Sequence, residues 1–87
     1  MSNANLAWAF RTEINPGSKL VLIALADMAT PEGLCWPNPR ALETWASMSE
    51  SEVQAALTEL ELADLLAIDQ RGDGGFTRYR LRPGKAG

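Results

Sequence analysis

The chain has 87 residues, 8 Lys+Arg against 11 Asp+Glu, one Cys, no His and 46% hydrophobic residues. That length holds one small domain, and the missing His with a lone Cys removes the usual general base, a zinc site and an internal disulfide. The longest purely apolar run, Leu20 to Ala26, is too short for a membrane span of about 20 residues, and no basic cluster precedes an apolar stretch at the start, so the expectation is a cytoplasmic protein that is not an enzyme and needs no metal or cofactor.

In residues 1–14, Leu6, Trp8 and Phe10 alternate with small or polar neighbours, a period of two that predicts a short strand or an extended arm docking its aromatics. Asn15-Pro16 then reads as an N-cap followed by proline at the first helical position. The helix it opens, to about Ala29, is apolar nearly all round apart from Lys19 and Asp27. Such a helix is either the centre of the core or lends a face to a homodimer. Thr30-Pro31-Glu32-Gly33 ends it, and Leu34-Cys35-Trp36-Pro37 reads as an edge strand closed by proline.

Asn38-Pro39 repeats the cap-then-proline signal and starts a short second helix to about Ala46, carrying Leu42 and Trp45. Ser47-Met48 forms a tight link. Ser49-Glu50-Ser51-Glu52 is a capping box, in which a serine hydroxyl and a glutamate carboxylate each satisfy the other's backbone amide. A third helix follows to about Ala63 with Val53, Ala56, Leu57 and Leu60 on one stripe. Leu65 to Gln70 predicts a strand, Arg71 to Gly75 a glycine turn, and Phe76 to Leu81 a second strand with Thr77, Tyr79 and Leu81 on one face. Residues 83–87 are a tail, and Arg82 is read as its frayed start.

The order helix, short strand, helix, tight turn, helix, hairpin is that of an α+β winged helix-turn-helix spanning 15–82, three helices with a C-terminal wing. Particular residues carry a resemblance. Lys19 to Asp27, then Gly33, Cys35-Trp36-Pro37, Leu42, and Ser49 ahead of V-Q-A-A-L-T-E-L resemble the winged-helix domains of phage and plasmid replication organisers. The resemblance implies DNA binding with the third helix as reader. The chain departs from that pattern at Glu43, Ser47 and Asp64, and above all in the third helix, where Glu50, Ser51, Glu52, Gln54, Ala55, Thr58 and Glu59 stand where the family usually places Arg, Lys or Thr.

Charge is unevenly distributed. Residues 41–70 hold seven acids and no Lys or Arg, whereas residues 71–87 hold five bases against Asp73 alone. Two functions follow as expectations. In one, a phage or mobile-element protein binds duplex DNA in replication or transcription control, its phosphate contacts supplied by wing residues Arg71, Arg78, Arg80 and Arg82. In the other, the carboxylates of the third helix form a solvent-facing rod that fits a basic site on a nucleic-acid-processing protein, as an anti-CRISPR-like DNA mimic would. Trp8, Trp36 and Trp45 read as core or rim aromatics, since base stacking needs them exposed beside cations. Cys35 reads as a buried thiol.

Overall fold

The computed structural model describes residues 3–72 and 76–83. Its elements, in chain order, are α1 (Asn3–Arg11), α2 (Pro16–Met28), β1 (Leu34–Cys35), α3 (Pro39–Ala46), α4 (Glu50–Leu62), β2 (Leu66–Gln70) and β3 (Arg78–Leu81). The three predicted helices are α2, α3 and α4, and the predicted strands are β1, β2 and β3. The expected tip residues 73–75 and tail residues 84–87 lie outside the described residues.

The amino-terminal segment corrects the sequence expectation of a strand or arm: it is helix α1, folded into the domain. Its alanines favour a helix, and its inward stripe is Asn5, Ala9 and Thr12, spaced at helical intervals and buried. Asn5 donates to the Thr30 carbonyl at 3.2 Å and the Thr12 hydroxyl to the Trp8 carbonyl at 2.7 Å, which removes the cost of burying these polar groups. Phe10, one of the three alternating residues, is exposed.

Helix α2 is capped by Asn15, whose side chain accepts from the Ser18 amide, with proline at its start. It packs against α1, α3, α4 and β1. Val21, Leu22 and Leu25 are fully buried, so most of its apolar perimeter is consumed inside the protomer. Around it gather Leu42 from α3, Val53, Leu57 and Leu60 from α4, and Cys35, Leu65, Leu66 and Leu81 from the sheet and its approach. Burial raises the Cys35 thiol pKa to about 12, so it is an inert packing group.

The sheet has strand order β1-β3-β2, all antiparallel. Leu34 pairs with Arg80 and Cys35 with Tyr79, while Leu66 pairs with Leu81, Ala67 with Arg80 and Ile68 with Tyr79. Side chains alternate across a sheet. Cys35, Leu66, Ile68, Tyr79 and Leu81 therefore face the helices, and Leu34, Ala67, Arg78 and Arg80 face away. Arg82 is no frayed end, because its amide donates to the Leu65 carbonyl at 3.0 Å. Three helices and a hairpin in this arrangement form the α+β winged helix expected above, with α1 added to it.

Candidate nucleic-acid interface

Helices α3 and α4 are fixed relative to each other by their ends. Asn38 caps α3 through its side chain, accepting from the Arg40 amide at 3.0 Å, and Pro39 takes the first helical position. At the other end Ser47 adopts a left-handed backbone, φ 55°, where glycine is the usual choice. The Met48 amide reaches back to the Glu43 carbonyl at 3.0 Å, closing the turn. Ser49 then opens α4. Its hydroxyl accepts from the Glu52 amide at 3.2 Å and its amide donates to Glu52 Oε1 at 2.8 Å. The Ser49 amide, followed by its hydroxyl, holds the Glu52 carboxyl below its ordinary pKa. Helix α4 stops as α3 does, with Asp64 left-handed at φ 63° and the Leu65 amide on the Leu60 carbonyl at 3.0 Å.

The faces of α4 follow from 3.6 residues per turn. Val53, Ala56, Leu57 and Leu60 are buried, so the opposite crest is Ser51, Ala55, Thr58 and Leu62, all exposed. That crest carries no charge. The acids lie along its two edges. Glu50, Gln54 and Glu61 border α3 and the wing, while Glu52 and Glu59 border the start of α2. Glu59 is engaged inside the molecule, its carboxylate accepting from Asn15 Nδ2 and from the Ser18 hydroxyl. The expected rod of free carboxylates is thus corrected to an uncharged crest between two acidic edges, one of them tied to α2.

The wing arginines are also placed in ways that composition could not show. Arg78 Nε lies 2.7 Å from Asp69 Oδ2 and Arg80 lies 3.2 Å from Asp69 Oδ1. A register shift between Ile68 and Gln70 makes Asp69 the extra residue of a β-bulge, which aims its carboxylate between the two guanidinium groups. Arg78, followed by Arg80, holds the Asp69 carboxyl below its usual range. Arg82 Nε stands 3.2 Å from Asp64 Oδ1. So two acids of the 41–70 segment are neutralised by the 71–87 segment. Arg78 and Arg80 sit on the sheet face away from α4. Arg71 is different: with Gln54, Phe76 and Tyr79 it lines a cleft between α4 and the wing. Tyr79 lines that cleft with Gln54 and Leu57 of α4, so the inner sheet face meets this edge of α4, and burial, then the nearby Glu61 charge, raises the Tyr79 pKa.

The sequence reading omitted two residues here. Arg40, in the first turn of α3, lines with Glu43 and Thr44 of the same helix one side of an open cleft that Glu50 and Phe76 also line. Its position directly after the Asn38-Pro39 cap was the available signal, since the first turn of that helix lines the same cleft as Glu50 at the start of α4. Phe76 is exposed at the wing, and so are Trp36 and Trp45, which are therefore not core aromatics. Trp8 packs against the core. Among the described residues no group of three or more His, Cys, Asp or Glu could hold a metal ion, and no helix is long and apolar enough to cross a membrane.

Arranged this way, α4 offers an uncharged crest with hydroxyls from Ser51 and Thr58, and Arg40 from α3 and Arg71 from the wing both stand along its Glu50–Gln54 edge. No curated protein and no solved structure matches the chain. Residues 12–66, from the end of α1 through the start of β2, match the family model of the helix-turn-helix domain. With two helices joined by a left-handed turn over that span, the chain belongs to the helix-turn-helix domain family.

Proposed function

We propose that the chain is a non-catalytic duplex-DNA-binding protein of phage or mobile-element kind, acting in replication or transcription control. The observation that carries this reading is the uncharged, exposed crest of α4. Ser51 and Thr58 present hydroxyls to base edges, Ala55 fits a thymine methyl, and Gln54 at the edge can pair with adenine N6 and N7. Arg40 and Arg71 both stand along the Glu50–Gln54 edge of that crest and meet the phosphates on that side. Glu50 opposes them: a carboxylate about 4 Å from a phosphate costs on the order of 1 kcal/mol at the dielectric of water. Arg40, lining one cleft with Glu50, offsets this.

The test is selection from a randomised duplex library followed by fluorescence anisotropy at about 50 mM and about 200 mM salt, conditions over which phosphate contacts weaken steeply. Replacing both Arg40 and Arg71 with Ala should weaken binding roughly tenfold and flatten the log–log salt slope by about 2, near 0.9 per lost contact. Gln54→Ala should relax preference at one base pair, a loss of about 1–3 kcal/mol in discrimination. Absence of any duplex binding at the lower salt overturns the proposal.

A second reading rests on the edge nearest α3. Among the described residues, Glu43, Glu50 and Glu61 have no ion-pair partner. These suit a basic site on a nucleic-acid-processing protein, including one that an anti-defence DNA mimic would occupy. Glu43→Lys with Glu50→Lys is the proper reversal for that reading, because changing Glu59 also breaks its contact with α2. A cross-linked partner that survives this double reversal rejects it.

A further inference from the structure

The outer face of the sheet carries a second constellation that the helix-turn-helix reading leaves unused. Burial alternates from Leu34 through Pro37: Cys35 and Pro37 are buried, Trp36 is exposed and Leu34 is half-buried. Trp36 therefore shares the outward side with Leu34. Leu34 is opposite Arg80 and Cys35 opposite Tyr79, so Trp36, the next residue after β1, follows on toward the Arg78 end of β3. An indole 52% exposed thus lies on the same sheet face as Arg78 and Arg80, whose side chains are 41% and 47% exposed. Asp69 supplies one carboxylate against the two guanidinium groups, leaving positive charge in excess on this face.

We propose that this outer sheet face binds single-stranded nucleic acid. Trp36 stacks an unpaired base, and Arg78 and Arg80 hold the adjoining phosphates. The two arginines are alternate residues of one strand and so stand about 7 Å apart along it. Stacking on an exposed aromatic is tolerant of base identity, and flanking cations track the backbone. Among the described residues this face carries a single aromatic, so it takes a flexible strand whose bases can turn outward, rather than a duplex whose bases are already stacked. Asp69 competes with phosphate for the same guanidinium groups and so sets the affinity. This site is separate from the α4 crest and does not depend on duplex binding there.

The experiment is fluorescence anisotropy of the full chain with end-labelled oligothymidine and, as a second arm, oligouridine, each of about a dozen nucleotides, a length in the usual site range. Binding of either oligomer is expected, and a difference between the arms reports the joint effect of the 2′-hydroxyl and the thymine methyl. Trp36→Ala should weaken it about 5- to 150-fold, the range of one lost base stack, while Trp36→Phe retains most of it. Arg78→Ala with Arg80→Ala should weaken it and flatten the salt slope, by about 0.7 for each lost contact to a single strand. Asp69→Asn should tighten it. Circular dichroism verifies the fold of each variant, and Trp36→Leu, which keeps apolar bulk without a ring to stack and should weaken binding as Trp36→Ala does, carries the test should Trp36→Ala unfold. No binding of either oligomer, or binding indifferent to Trp36 and to the two arginines, overturns the proposal. Loss on changing Arg40 and Arg71 alone overturns it as well, since the strand would then lie on the α4 crest.

Discussion

Ser49 and Glu52 act locally, with a consequence for the whole of α4. Each satisfies an amide that α4 would otherwise leave without a partner. Ser49→Ala should cost about 1 kcal/mol, as loss of a helix cap commonly does, and thermal unfolding would show it. The pH dependence has a definite sign. The Glu52 carboxyl is held below its ordinary value of 4.5 by the Ser49 amide. Its contribution is therefore complete above that value and is lost as the pH falls through the lower, folded-state pKa. Glu52→Gln keeps the shape of the cap without the titration, so the gap in midpoint between it and the parent chain should narrow on acidification. A gap that stays constant from neutral to acid pH would show that the charge plays no part. This cap was legible from four consecutive residues. Glu59 was not, since its partners Asn15 and Ser18 lie far away in the chain and on another helix.

Between elements, the instructive case is α1. A period of two in Leu6, Trp8 and Phe10 pointed to extended backbone, yet the segment is helical because its buried stripe is built on Asn5, Ala9 and Thr12. Apolar counting misses a stripe whose polar members satisfy themselves by hydrogen bonds to Thr30 and Trp8. A chain lacking residues 1–11 should lose at least about 2 kcal/mol, by the apolar area uncovered over α2. Calorimetry decides between the two roles, because removal of a mere arm would leave the midpoint unchanged. Helices α2, α3 and α4 were readable at both ends, since Asn-Pro pairs and the capping box are local devices. The left-handed residues Ser47 and Asp64 show the converse. Both helices of the motif end in the glycine conformation without glycine, a choice that the closing hydrogen bonds of the turns sustain.

For the whole molecule, Gly33 joins the helical layer to the sheet. Its φ is 88°, its carbonyl accepts from the Leu81 amide at 2.8 Å, and its amide donates to the Thr30 carbonyl at 2.8 Å. Gly33→Ala meets ordinary contact with the Leu81 carbonyl at 3.5 Å, so the penalty is backbone strain rather than collision. That strain is worth about 1–2 kcal/mol. At about 4–8 °C per kcal/mol for a domain of this size, the unfolding midpoint should drop by several degrees in one cooperative transition. An unchanged midpoint would mean that the junction adapts without cost.

From Asn15 onward the sequence by itself determined the helical and strand order, the helix-turn-helix, the caps and the alternation of β3, because each depends on neighbours within a few residues. It also showed a block of acids followed by a block of bases. Only the tertiary structure decided what those charges do. The hairpin brings Asp69 between Arg78 and Arg80, and Asp64 beside Arg82. The packing of α4 on α2 places Glu59 at the α2 cap and turns an uncharged crest outward. Linear composition sums charge along the chain, whereas electrostatic energy depends on separation in space, and pairing across strands and helices sets that separation.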